Sequence, residues 1–188
     1  MIKDKKEIRE QYIKKRLELT NRDISLKSKL IFQRIEGIDD LWQKTCFGAY
    51  LAVKNEVNTK ILIDKLVSQK KEVYLPRFVE RDKEYKFAKF SGWLELEEGY
   101  YGILQPKTEK CADIKKMEVI FMPGVAFDKR GVRLGWGTGT YDALLRGSKA
   151  LKVGLCYDFQ IADSLPYEEQ DVKVEMVVSE KRVVRVDS

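Results

Sequence analysis

Histidine is absent from this 188-residue chain, and its absence excludes more chemistry than any other feature of the composition. It removes the commonest general base, the commonest metal ligand, and every Ser-His or Cys-His nucleophile. Proton transfer must fall to carboxylates, Lys, Tyr, water or the substrate itself. Cysteine is scarce too. Cys46, Cys111 and Cys156 are odd in number and widely spaced, with no C-x-x-C pair, which predicts reduced and mostly buried thiols rather than a disulfide framework or a zinc site. Prolines number only four, and no low-complexity linker or repeat interrupts the chain. No apolar run approaches the length that spans a bilayer. The N-terminal MIKDKKEIREQ contains no signal-peptide core, so the expectation is a cytoplasmic protein whose mature chain starts here.

What remains is 44% hydrophobic and 35% charged, the composition of a soluble globular protein and enough for one domain over residues 1–188. The formal net charge of +6 favours anionic partners such as phosphates and carboxylates. Its basic residues are scattered rather than striped between aromatics, so no nucleic-acid partner is expected, and no membrane partner either.

Hydrophobic periodicity predicts the elements. Residues 3 to 19 read as a charged helix with Ile8, Tyr12, Ile13 and Leu19 near one face. Thr20 and Asp23 form a candidate capping box opening a second helix to about Ile35. Thr45 to Val53 is a buried strand, Thr59 caps a helix through Leu66, and Val73 to Leu75 is a strand stopped by Pro76. Residues 84 to 90 suit an antiparallel or edge strand. Further strands fall at Val119–Met122, Val125–Phe127, Leu151–Cys156, Met176–Ser179 and Val183–Val186, with a helix start at Tyr141–Leu145. Strands alternating with helices predict an α/β fold: a single-domain, mostly parallel sheet with helices on both faces. Ligands of such sheets collect at the carboxyl ends of the strands.

One segment stands apart, PGVAFDKRGVRLGWGTGTYDALL from Pro123 to Leu145. Gly135, Gly137 and Gly139 at alternate positions let backbone N–H groups converge without Cβ interference, an anion cradle to which a helix beginning near Tyr141 would add its N-terminus. It is neither the dinucleotide fingerprint nor a Walker loop. Spacing alone leaves a structural hairpin open as well; Arg133, suited to forked phosphate contacts, and Asp142, suited to Mg²⁺, favour the anion site.

This segment resembles the signature of the 5-formyltetrahydrofolate cyclo-ligases, or methenyltetrahydrofolate synthetases, in Pro123, Ala126, Phe127, Asp128, Gly131, Arg133, Leu134, Gly135, Gly137, Gly139, Tyr141 and Asp142. Further matches follow the family's order: Lys5 and Arg9, Asn55-Glu56-Val57, Leu75-Pro76-Arg77, Tyr101-Gly102-Ile103 with Gln105-Pro106, then Gln160 and Asp171. Together they cover nearly the full chain.

The resemblance implies a monomeric, ATP- and Mg²⁺-dependent ligase. Its small-molecule substrate, 5-formyltetrahydrofolate, is cyclised to 5,10-methenyltetrahydrofolate with release of ADP and phosphate, through a phosphorylated N5-iminium. By the same resemblance Lys5, Arg9 and Arg133 serve catalysis and hold ATP phosphates with the run Gly135, Trp136, Gly137, Thr138, Gly139, Thr140 and Tyr141. Glu56, Tyr101, Trp136 and Thr140 face the folate, and Asp142 and Asp171 hold Mg²⁺. Trp42 and Trp93 are read as structural. Two positions depart from the family's pattern: Thr140 replaces a tyrosine and Ala143 an arginine. The alternative they raise is a weakened folate- or nucleotide-binding relative, or an enzyme for another pterin.

Overall fold

A computed structural model describes residues 4–169 and 171–186. Lys3, where the first helix was expected to begin, lies outside the described residues. In chain order the elements are α1 (Lys5–Leu17), α2 (Asn21–Glu36), α3 (Asp39–Trp42), β1 (Cys46–Gly48), α4 (Lys60–Ser68), β2 (Glu72–Val79) and β3 (Glu84–Lys89). There follow β4 (Leu96–Glu98), β5 (Leu104–Pro106), β6 (Val119–Pro123), β7 (Ala126–Asp128), β8 (Arg133–Leu134) and α5 (Thr140–Leu144). The chain closes with β9 (Leu151–Leu155), β10 (Ile161–Ala162), β11 (Met176–Val178) and β12 (Val183–Arg185). No helix among the described residues is long and apolar enough to cross a membrane.

Seven strands form the main sheet in the order β12-β11-β9-β6-β1-β2-β3. The five inner strands run parallel, and the two edges, β12 and β3, are antiparallel. A parallel interior must be covered on both faces, and the alternation of side chains along β6 shows how it is done. Val119 and Phe121 enter the core that Ile31 and Ile35 of α2 and Leu62, Ile63 and Leu66 of α4 complete. Ile120 and Met122 point the other way, to Phe127 and to Leu144 and Leu145 at the end of α5.

A small second sheet, β10-β7-β8, stands off the carboxyl end of β6, and α1 packs Ile8 and Tyr12 against it beside Val132, Leu134 and Leu165. Its hairpin is built on Asp128, fully buried. The carboxylate accepts the amides of Arg130 (2.9 Å) and Val132 (3.1 Å) on one oxygen and of Leu165 (3.0 Å) on the other. Gly131 supplies the positive φ (77°), and any Cβ there would sit 2.2 Å from the carbonyl oxygen of Val174.

Several expectations are corrected. The strand at Thr45–Val53 shortens to Cys46–Gly48, since beyond it the chain turns away toward the site. Thr59 does not cap α4: its hydroxyl donates to the Tyr50 carbonyl, and Asn58 Oδ1 takes the amide of Lys60 at 2.9 Å instead. Pro76 does not stop its strand; β2 runs through to Val79. The reason is one of direction. β1 pairs with β2 only as far as Tyr74, so at Pro76 the missing N–H faces no ladder partner. The equivalent amide two residues on, Phe78, bonds to Gln105 Oε1 at 3.0 Å. The capping box holds, with Asp23 N on Thr20 Oγ1 (3.2 Å) and Thr20 N on Asp23 Oδ2 (3.1 Å). All three cysteines are free, with Cys46 and Cys156 buried.

Phe127 couples the two sheets. An added Cβ at Gly154 of β9 would lie 2.4 Å from its ring, so Gly154→Ala is expected to overpack this contact and lower stability by about 1–3 kcal/mol. Urea unfolding monitored by circular dichroism measures this, and an unchanged midpoint would show that the ring relaxes freely.

Candidate active site

Three neighbouring parallel strands, β1, β6 and β9, end on the same side, and the residues just beyond them meet. After β1 the chain makes a tight turn whose central residues, Lys54 (φ 47°) and Asn55 (φ 60°), are both left-handed, closed by Glu56 N on Val53 O at 3.0 Å. Asn tolerates that conformation better than most residues. Its side-chain amide also donates to the carbonyls of Arg16 (3.2 Å) and Leu19 (3.2 Å) where α1 ends. Asn55 thus docks the turn on α1, Val57 enters the core, and Glu56 between them is carried into the site. After β6 comes Gly124, whose carbonyl accepts from Gln160 Nε2 at 3.0 Å. After β9 comes Tyr157, whose hydroxyl donates to the Glu56 carbonyl at 3.1 Å.

Glu56 is 4% exposed. Its carboxylate accepts the Val53 amide (3.2 Å) and the indole N–H of Trp136 (3.1 Å), and lies 3.9 Å from Nη1 of Arg16. Burial pushes its pKa above the ordinary carboxylate range, against the pull of Arg16, the Trp136 N–H, the Val53 amide and Lys54. The Trp136 ring is flanked by two cations, with the Arg16 guanidinium 4.9 Å and the Lys54 ammonium 4.7 Å from its centroid. The indole thus lies with a carboxylate at its N–H and cations near its ring.

The glycine loop lies next to it. Arg9 Nε donates to the Gly135 carbonyl at 2.8 Å, so α1 grips the loop from outside. Gly137 (φ 94°) and Gly139 (φ 66°) are left-handed, and a Cβ at Gly135 would come within 2.7 Å of Arg133 Nη1. The Arg133 guanidinium crowds a side chain at Gly135, whereas at Gly137 and Gly139 the left-handed backbone calls for glycine. Thr138 and Thr140 join their hydroxyls at 2.9 Å. Arg133, 8% exposed, reaches Asp142 Oδ1 at 3.3 Å and lies 5.3 Å from the Tyr141 ring centroid, while its Nε has no acceptor among the described residues. Tyr141 thus stands between the two halves, its pKa raised by desolvation and then by the charge of Glu56. α5 has only five residues, so its contribution to the anion site is its first-turn amides rather than a long dipole.

Lys5 does not point at the loop with Arg9. It bonds Asp171 (2.8 Å) and Glu168 (3.0 Å). Burial lowers its pKa, but these two carboxylates outweigh that and leave it raised. Asp142 also takes the Val172 amide at 3.1 Å, which brings it beside Asp171. Both carboxylates line one cleft of about 620 Å³ with Gly139, Ala143, Arg146 and Lys152. Among the described residues no three Cys, Asp or Glu converge as a metal cage. Two carboxylates on one cleft nevertheless fit Mg²⁺, which keeps most of its water and takes one or two protein oxygens together with phosphate. The side chain of Tyr101 lies outside the described residues; its backbone forms a 3₁₀ turn, Tyr100–Gly102.

Sequence reasoning missed Arg16. Its signal was its place on α1, one turn after Tyr12 on the buried face and in register with Lys5 and Arg9.

A mostly parallel α/β sheet with a bare glycine loop beside a buried carboxylate defines the class: an enzyme of the methenyltetrahydrofolate synthetase fold. The model of the 5-formyltetrahydrofolate cyclo-ligase family matches residues 1–180, and the chain belongs to that family. It is 31% identical over 174 residues to the 5-formyltetrahydrofolate cyclo-ligase of Haemophilus influenzae, covering 89% of this chain and 93% of that one. It is 32% identical over 142 residues to that of Escherichia coli K12, covering 72% and 78%. The solution structure of Aquifex aeolicus 5,10-methenyltetrahydrofolate synthetase superposes with a TM-score of 0.88 at 32% identity, over 98% of this chain and 93% of that one. The Mycoplasma pneumoniae synthetase, at 23% identity and a TM-score of 0.76, over 95% and 99%, shares the fold.

The Arg9 bond is charge-assisted, a class whose loss costs about 1.5–3 kcal/mol. Arg9→Ala is therefore expected to free the loop locally, with amides of 135–139 exchanging roughly tenfold faster or more. Hydrogen-exchange mass spectrometry reads this directly, and unchanged exchange would mean that α1 does not hold the loop.

Proposed function

We infer that this chain is an ATP- and Mg²⁺-dependent 5-formyltetrahydrofolate cyclo-ligase. The observation that carries the reading is the adjacency of two sites of opposite demand. Glu56 is a buried acceptor that already holds the N–H of one flat heterocycle, the Trp136 indole, and the glycine loop with Arg133 lies one tyrosine away. The pterin, rich in N–H donors, goes to Glu56. The triphosphate lies over Gly135–Gly139 and along the cleft, its γ-phosphoryl group toward Arg133.

The chemistry needs no histidine. An amide-like formyl oxygen is a poor leaving group until phosphorylated. The formyl oxygen attacks the γ-phosphorus, the bond to ADP breaks, and N5 becomes a phosphorylated iminium. The lone pair of N10 then closes on the formyl carbon, the carbon–oxygen bond breaks to release phosphate, and N10 sheds its proton to solvent. The protein supplies alignment and fixed positive charge. Arg133, Arg9 and Lys5 meet the phosphates, the last by turning from Asp171. Asp142 and Asp171 hold Mg²⁺, which neutralises phosphate charge. Arg146, one turn beyond Ala143 and on the same cleft, offers a guanidinium where the family's usual arginine is missing.

The direct test is growth of the near-ultraviolet absorbance of the methenyl product from 5-formyltetrahydrofolate. Growth is expected with Mg-ATP and not without it; no growth, with folate binding confirmed separately, would overturn the reading. Arg133→Ala should lower ATP-dependent turnover by about 10²–10³, the scale of one lost charge-stabilising donor, with the circular dichroism spectrum unchanged. Undiminished turnover in that variant would put the phosphate site elsewhere.

A further inference from the structure

Arg16 belongs to no motif of the glycine loop, yet it is the largest of the fully buried side chains, at 1% exposure. Near the end of α1, it crosses beneath the folate corner. Nε donates to the Lys54 carbonyl at 3.1 Å and Nη1 to the Gly124 carbonyl at 3.2 Å. Nη1 also lies 3.9 Å from the Glu56 carboxylate. Nη2 is buried with no acceptor among the described residues, and the face of the guanidinium lies under Trp136. A cation that only joined α1 to the sheet would not need to stand against a buried carboxylate with one donor unspent.

Resting on the reading of Glu56 as the pterin's acceptor, we propose that Arg16 is a positioning residue that keeps Glu56 ionised and fixed in aim beneath the substrate ring. The physical need is specific. A carboxylate this deeply buried is stable as an anion only when paired and hydrogen-bonded. A protonated Glu56 would present one donor of its own to a ring edge that also donates, and the match would be lost. The other titratable groups facing Glu56 are Lys54 on its own turn, Tyr50 after β1, Tyr141 on α5 and Tyr157 after β9. The three phenols add no positive charge, and Lys54 is exposed to solvent. Arg16 is thus the buried cation of the group.

The experiment compares Arg16→Met, Arg16→Lys and Glu56→Gln by steady-state kinetics across pH, with KM for 5-formyltetrahydrofolate and for Mg-ATP measured separately. Removing a cation this close moves a carboxyl pKa by about 1–3 units. In Arg16→Met the acid-side rise in the folate KM should therefore move to higher pH by about one unit or more. On the acid limb that is roughly a tenfold weaker folate KM at a given pH, relieved as pH rises, with the KM for Mg-ATP within about twofold of wild type. Arg16→Lys, which restores a cation, should return most of the profile. A folate profile in Arg16→Met that overlays wild type would overturn the proposal. So would Arg16→Lys being as impaired as Arg16→Met, with both KM values and the melting temperature damaged together, because that is a packing defect. If Arg16→Met does not fold, Arg16→Lys decides by whether its acid limb keeps the wild-type position. Glu56→Gln separates the two readings: a folate KM unchanged there removes Glu56 from the folate site, whereas an impaired Glu56→Gln beside a normal Arg16→Met sinks only the role given to Arg16.

Discussion

A guanidinium without water must find acceptors, and the acceptors that Arg16 finds bind the molecule's active half together. Its contacts are the carbonyls of Lys54 and Gly124 and the carboxylate of Glu56, which belong to the loops leaving β1 and β6. Those strands are parallel neighbours, so their ends lie about 5 Å apart, a separation that one planar fork can bridge. The helix carrying Arg16 is secured in turn by Asn55 from the same turn. The charge fixes the helix end and the helix fixes the charge. Arg9, two turns earlier, then arrives at the glycine loop.

Charge at the phosphate end is arranged differently. There Lys5 is close to Asp171 and Glu168, Arg133 to Asp142, and Arg9 to the Gly135 carbonyl. The Lys5 pairs are partly exposed and of modest worth to stability, in contrast to the desolvated pair at Glu56. The distinction suits their uses. On the proposed reading, a pterin would exchange N–H for N–H on an unchanging carboxylate, whereas a triphosphate with its metal would redistribute partners among several charges. The loop between them offers main-chain N–H groups, which carry no net charge and need no reorganisation.

Much of the fold was legible in the chain. The buried strand at Val119–Met122, the capping box at Thr20 and Asp23, and the edge strand at 84 to 90 are set by neighbours in sequence, and each has its structural counterpart. The misreadings have one cause. Pro76 looks like a strand breaker, yet it sits where β1 has already ended. Thr59 looks like a cap, yet its hydroxyl is taken by Tyr50. Lys5 and Arg9 share a helix face but turn to different partners. In each case the residue's nature was plain and its partner, far along the chain, was not.

The same division holds for the site. The absence of histidine, the bare glycine run and the acidic and basic residues beside it favoured an anion site, and the ordered residues from Pro123 to Asp142 connected the chain with its family. Local covalent structure governs those features: which groups can donate, which can titrate, where a Cβ is missing. Tertiary structure alone decided that Trp136 closes on Glu56 across 80 positions and that Asp142 and Asp171 share a cleft. It alone turned an unremarked Arg16 into the buried cation beside Glu56. Desolvation and ion pairing act through space, and distance along a chain carries no record of them.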